Sequence, residues 1–166
     1  MTTVFVSKEL GIAITDSRAT FQESRKFLGL FNLTPLPSYK VVNQKALYVH
    51  DRLFLACGSV DTIDKVLKYF IDGTKFKVNK KTPSCECLLL GKEYGVHLYV
   101  WNGKIHKKTI FLAYNFVHFM GSGSSALLRK YYKTLERNTP DEVIDIFKTV
   151  HLDDSFTDDN VNLYRI

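Results

Sequence analysis

Over most of this chain apolar residues either alternate with polar ones or gather in short blocks bounded by turn residues, and a helical spacing emerges in only three places. Residues 3–7 and 11–15 read as two strands around a tight turn at 8–11, and residues 45–58 as two more joined at His50, Asp51 and Arg52. Between them, residues 21–44 keep no period and are expected to form a long structured loop. Residues 59–72 put Val60, Ile63, Val66, Leu67 and Phe70 at helical spacing, and Gly73 stops that helix. Residues 86–90 and 95–101 form a hairpin, and the turn signal Asn102-Gly103 leads into a strand over 104–110. The apolar run 109–120 is strand-like, interrupted by Asn115 and His118. A glycine-serine turn at 121–124 opens a helix to about Arg137. Thr139, Pro140, Asp141 and Glu142 then supply the cap, the first-turn proline and the early carboxylates of another, to about Val150. Residues 160–166 close the chain as a strand.

Strands, one helix, more strands, two consecutive helices and a last strand is the order of an α+β sandwich with helices on its outer faces. With 166 residues, 45% of them apolar, one sizeable core is expected, so residues 1–166 read as a single domain. No run approaches the roughly 20 apolar residues that span a bilayer, and the start lacks the features of a secretory signal. Cytoplasm is the expected compartment and no membrane partner is expected. Cys57, Cys85 and Cys87 stand in apolar surroundings, which suits a reducing compartment better than a disulfide framework. Cys85 and Cys87 fall on one face of a strand but lack a second Cys/His pair at zinc spacing, and the five histidines show no HExxH pattern. No metal and no cofactor is expected, and His118 reads as a hydrogen-bonded core residue.

The net charge of +6 gathers at Lys75, Lys77, Lys80 and Lys81, at Lys104, Lys107 and Lys108, and at Arg129, Lys130 and Lys133. Lysine clusters interleaved with Phe76, Tyr131 and Tyr132 permit nucleic-acid or acidic-partner binding, but no nucleic-acid-binding signature accompanies them.

The chemistry concentrates at the start. Thr2 is small enough at its side chain for Met1 to be trimmed, which leaves a free α-amino group on the same residue as a hydroxyl. That amine has a reference pKa of about 7.7–8.0, so near neutral pH it can act as the base for its own hydroxyl. The hairpin over 3–15 would return Asp16 close to Thr2.

Four separated landmarks then carry a resemblance. They are Thr2-Thr3 with the tract Asp16-Ser17-Arg18-Ala19-Thr20; Lys45 followed by Asp51-Arg52 and Ala56-Cys57-Gly58-Ser59; Gly121-Ser122-Gly123-Ser124 at the head of a helix; and Asp154-Ser155-Phe156-Thr157 before Val161-Asn162-Leu163-Tyr164. In this order the chain resembles the β-type subunits of the proteasome and the peptidase subunit of the bacterial two-component ATP-dependent protease, which are N-terminal nucleophile hydrolases of the threonine peptidase type. The resemblance implies a four-layer αββα sandwich. It implies Thr2 Oγ as nucleophile, with its own amine as base directly or through a water. Lys45 would lower the hydroxyl pKa, and Asp16 would keep Lys45 charged and oriented. Ser122, Asp154 and Thr157, the last in place of the family's serine, would position the Thr2 amine. The backbone amide of Gly58 or Ser59 would stabilise the oxyanion, and Arg18 would support a nearby carboxylate. A polypeptide substrate, a homo-oligomeric ring and an ATP-driven unfoldase of the AAA+ type are the implied partners.

Two departures stand out. Lysine-rich residues 73–84 occupy the place of a second helix in the first helical layer, and Asp158 follows Thr157 where the family has glycine. Besides a threonine endopeptidase, a non-catalytic scaffold or decoy of the same fold, or a basic nucleic-acid-binding protein, would fit the chain.

Overall fold

The computed structural model describes residues 2–16, 46–133, 139–155 and 157–166, and within 17–45 the backbone of four short strands. The strands are β1 (Thr3–Ser7), β2 (Ile12–Asp16), β3 (Arg18–Gln22), β4 (Lys26–Phe27), β5 (Phe31–Asn32), β6 (Pro37–Val41), β7 (Ala46–Val49), β8 (Arg52–Gly58), β9 (Cys85–Leu90), β10 (Tyr94–Trp101), β11 (Lys104–Phe111), β12 (Val117–Gly121) and β13 (Val161–Arg165). The helices are α1 (Val60–Asp72), α2 (Ser124–Lys133) and α3 (Pro140–Lys148), with a 3-10 turn at Val150–Leu152.

Two antiparallel sheets form the centre, one ordered β12-β1-β2-β13 and the other β11-β10-β9-β8-β7. Three buried clusters separate four layers. Val4, Val6, Ala13, Leu53, Leu55, Leu88 and Met120 pack between the sheets. Phe54, Ala56, Val66, Cys85, Cys87 and Leu89 pack between the five-stranded sheet and α1. Phe5, Ile14, Leu127, Val143 and Phe147 pack between the four-stranded sheet and the α2/α3 pair. Strand β1 is buried at all five positions because one of its faces meets the other sheet and the opposite face meets helices. The αββα sandwich follows from these alternations.

The short turns are legible in the residues. His50 and Asp51 take positive φ (45° and 61°), as do Asn102 and Gly103 (47° and 72°), the conformation that two-residue hairpins favour. Helix α1 ends at Gly73 with φ 76°, its N–H on Tyr69 O at 3.1 Å. Helix α3 begins with a full capping box between Thr139 and Glu142.

Two expectations change. The expected loop at 21–44 contains paired strands instead: β3 with β6, and within that ribbon β4 with β5. Propensity alone did not show it, because the ribbon lacks an apolar alternation to mark its faces. The apolar run at 109–120 divides into β11 and β12, which lie in different sheets, across a turn where Phe116 N donates to Ala113 O at 2.9 Å. Of the helix expected to reach Arg137, Ser124–Lys133 is seen, and residues 134–138 lie outside the described residues. Residues 73–84 contain no helix, so among the described residues the first helical layer has α1 alone. In place of a helix, Phe76 and Val78 of this stretch pack onto the cluster beneath α1.

Candidate active site

The N-terminal strand, the turn before α2 and the loop before β13 meet at one point. The Thr2 carbonyl accepts the Ser122 N–H at 3.2 Å, and the Thr3 N–H donates to Asp16 Oδ1 at 2.9 Å. Thr2 is buried at 6% exposure, and Asp16 is fully buried. Gly121 sits against Thr2 with φ +90°; a Cβ there would stand 1.6 Å from the Thr2 carbonyl oxygen. Gly123 leaves room of the same kind, since a Cβ would stand 2.4 Å from Thr3 Oγ1 and 2.6 Å from Val150 Cγ1. The glycines of the 121–124 turn therefore let α2 begin against the first strand, which no side chain at either position would permit.

A chain of hydroxyls continues from there. Gly123 N–H donates to Thr3 Oγ1 at 3.0 Å, the Thr3 and Thr157 hydroxyls lie 2.6 Å apart, and Thr157 Oγ1 donates to Asp154 Oδ2 at 2.7 Å. Ser122 Oγ donates to the same Asp154 oxygen at 2.6 Å. Each hydroxyl has one proton. Because Thr157 gives its proton to Asp154, Thr3 must be the donor to Thr157. Because Ser122 also gives its proton to Asp154, the lone pairs of Ser122 Oγ are left as acceptors. Asp158 is buried directly after Thr157.

Of the two backbone amides read as oxyanion donors, that of Ser59 donates to Ser84 O at 3.0 Å and so is already engaged. The sheet continues one pair beyond β8 and takes this N–H into its ladder. Gly58 has φ +110°, and a Cβ there would stand 2.6 Å from Ser84 O. Lys45 and the side chain of Arg18 lie outside the described residues.

A cavity of about 630 Å³ brings Gly58 together with Gly121, Ser122 and Ser124, and its wall is continued by Cys85, Glu86, His97, Tyr99 and Trp101. Glu86 was not read as a functional residue from the sequence, nor were His97 and His118 brought together with it. His97 Nε2 lies 2.8 Å from Glu86 Oε1, and His118 Nε2 lies 3.6 Å from the same oxygen. Burial works against the Glu86 carboxylate, but the contacts from His118 and His97 outweigh it and hold its pKa down to about 2. His118 is half-buried and stacks against Phe116, yet its Nε2 makes no hydrogen bond among the described residues, which departs from the expected hydrogen-bonded core histidine. Cys57 Sγ approaches Glu86 Oε2 at 3.9 Å, and burial, then the Glu86 charge, push that thiol far up, so it stays protonated. Cys57, Cys85 and Cys87 are all free and buried, as expected of the three.

The structure is similar to that of eukaryotic HslV from Trypanosoma brucei, with a TM-score of 0.56 and 10% identity over 98% of this chain and 97% of that one. It is also similar to Thiobacillus denitrificans BPH in complex with epoxomicin, with a TM-score of 0.53 and 11% identity over 100% of this chain and 98% of that one. No protein-family model and no curated protein matches the sequence. At such identities the likeness speaks to the fold. The chain has the N-terminal nucleophile hydrolase fold, shared with HslV and the proteasome-type proteins its sequence resembles.

Proposed function

We propose that the chain is a proteasome-like threonine endopeptidase that cleaves unfolded polypeptides with Thr2 as its N-terminal nucleophile after removal of Met1. The observation that carries this reading is the convergence of Thr2-Thr3, Ser122-Gly123 and the Asp154/Thr157 pair, drawn from both ends and the middle of the chain onto one hydrogen-bonded network. A scaffold has no need of it in this form, since apolar packing would serve as well at lower desolvation cost.

In the proposed reaction Thr2 Oγ attacks the substrate carbonyl carbon while its proton passes to the Thr2 amine, directly or through a water. The C–O bond forms, the carbonyl electrons move onto oxygen, and the Gly58 N–H stabilises that charge, a contribution typically worth about 3–4 kcal/mol. The amine then returns the proton to the leaving nitrogen as the C–N bond breaks. Water hydrolyses the resulting ester and restores Thr2. Ser122, with its own proton on Asp154, offers an acceptor to the protonated amine. Lys45 lowers the hydroxyl pKa, Asp16 keeps Lys45 charged, and Arg18 supports a neighbouring carboxylate. The partners that fit are further copies of this chain in a ring and an AAA+ unfoldase, in the cytoplasm. Among the described residues no helix is long and apolar enough to cross a membrane.

Thr2→Ala and Lys45→Ala, assayed on an unstructured peptide, test the reading. Each is expected to lower the rate by orders of magnitude with the fold intact, as for groups that act as a unit. Full activity in Thr2→Ala would remove the enzyme reading. No activity in the parent would favour the scaffold or decoy.

A further inference from the structure

The inter-sheet layer is built mainly of apolar side chains, and Glu86, His97 and His118 stand out in it. Glu86 of β9 projects into it in register with Leu88 and Leu90, which belong to the inter-sheet cluster. Glu86 opposes Tyr99 and Leu88 opposes His97, so Glu86 and His97 are diagonal neighbours on one face of the five-stranded sheet. His118 comes from the other sheet. It lies two residues from Met120 on β12, a position that shares the inward face, and opposes inward Val6. Two sheets thus aim two imidazoles and one carboxylate at a common point, where the three ligand atoms lie within 4.8 Å of one another.

We propose that Glu86, His97 and His118 form a binding site for a divalent transition metal ion of the zinc class, with a coordination position open to the cavity beside Ser122. This inference goes beyond the peptidase reading and does not depend on it. Zinc takes imidazole nitrogen and carboxylate oxygen at about 2.0–2.2 Å, which places tetrahedral ligand atoms about 3.3 Å apart. The separations from Glu86 Oε1, 2.8 Å to His97 Nε2 and 3.6 Å to His118 Nε2, straddle that value. A carboxylate hydrogen-bonded to one histidine accounts for the shorter contact but leaves His118 Nε2 without a hydrogen bond among the described residues. A metal gives that nitrogen a partner. Two imidazoles select against magnesium and calcium, which prefer oxygen. The rings are held in place before any metal arrives: His97 and His118 meet edge to face at 5.1 Å, Tyr99 lies 5.6 Å from His97, and Phe116 stacks on His118. Glu86 and His97 line the cavity, and so a fourth ligand there would be water or a group of the cavity's occupant. A bound ion would also join the two sheets at the cavity mouth.

Calorimetric titration of the full chain with zinc chloride tests this against His97→Gln and His118→Gln, each first checked for parental folding by circular dichroism. One ion per chain is expected, with affinity at least about tenfold weaker in each variant, since outer-shell losses alone cost about 10–100-fold. At equal concentration zinc should raise the melting temperature of the parent more than that of either variant. Equal affinity in parent and variants would overturn the proposal. A thiolate charge-transfer band on cobalt substitution would also overturn it, by assigning the ion to cysteine. In the unaltered protein, one equivalent of zinc should shift the imidazole nitrogen resonances of His97 and His118. Unmoved resonances there overturn the proposal even if both variants fail to fold.

Discussion

The hydroxyls of Thr3 and Thr157 lie 2.6 Å apart although 154 positions separate them in the chain. Both residues are fully buried, so the contact fixes the loop before β13 against the first strand without help from water. Thr157→Val keeps the shape and removes the hydroxyl, which leaves Thr3 Oγ1 without its acceptor and takes one donor from Asp154. It is expected to cost about 1–3 kcal/mol in urea unfolding and to slow peptide hydrolysis, while Thr157→Ser keeps the network and most of the activity. Equal stability in Thr157→Val and the parent would show that the network contributes nothing.

Three glycines with positive φ separate crowding from simple backbone cost. Gly73→Ala adds a Cβ with nothing within 4 Å, and is expected to cost about 1 kcal/mol for the left-handed conformation and to leave peptide hydrolysis unchanged. Gly121→Ala drives a Cβ into the Thr2 carbonyl, and Gly58→Ala drives one into the Ser84 carbonyl. Both should cost well over 1 kcal/mol and abolish hydrolysis. Melting curves and a peptide assay on the three variants check the ordering.

The capping box of α3 sets a pH dependence. Glu142 is held below its ordinary value of 4.5, first by the Thr139 backbone N–H and then by the Thr139 hydroxyl. A lowered carboxylate pKa gives stability that is present above the ordinary value and is lost as pH falls through the lowered one. The stability difference between the parent and Glu142→Gln should therefore shrink as pH drops below about 4.5. Urea midpoints measured across that range would show it. A difference that stays constant with pH would contradict it.

Much of the sandwich was legible because its determinants are local. Period-two alternation, the Asn102-Gly103 turn, Gly73 as a stop and the Thr139 cap each act within a few residues, and the strands and helices they mark stand where expected. The ribbon within 17–45 was not legible, since its two-residue strands β4 and β5 are too short to show a period. Asp16, Ser122, Asp154 and Thr157 were read as site residues from three landmarks spread across the chain, and the contacts that bring those landmarks together are long-range. The Glu86, His97 and His118 cluster escaped for the same reason. Each sits among apolar neighbours on a different strand; the pairing of β9 with β10 joins Glu86 to His97, and only the facing of the two sheets adds His118.

The absence of a helix from residues 73–84 changes the outer face offered to a partner. The outer face of the five-stranded sheet carries α1 and the stretch with Lys75, Lys77, Lys80 and Lys81, and Lys107 lies over the Tyr69 ring at 5.1 Å beside them. A homo-oligomer is expected, with a smaller and more positive outer face than two helices would give. A partner docking there should present acidic residues and bind less tightly as salt rises. Light scattering over a range of concentrations checks the oligomer. A strict monomer at high concentration would remove the compartment that processive degradation requires.

The central claim is that Thr2 is a nucleophile with a free amine. Treatment with epoxomicin or another electrophile directed at N-terminal threonine, followed by intact mass and peptide mapping, tests it most directly. The account predicts a mature chain beginning at Thr2, one adduct per chain located on Thr2, and no adduct in Thr2→Ala. A chain that retains Met1 and stays unmodified, or an adduct that persists in Thr2→Ala, would contradict it.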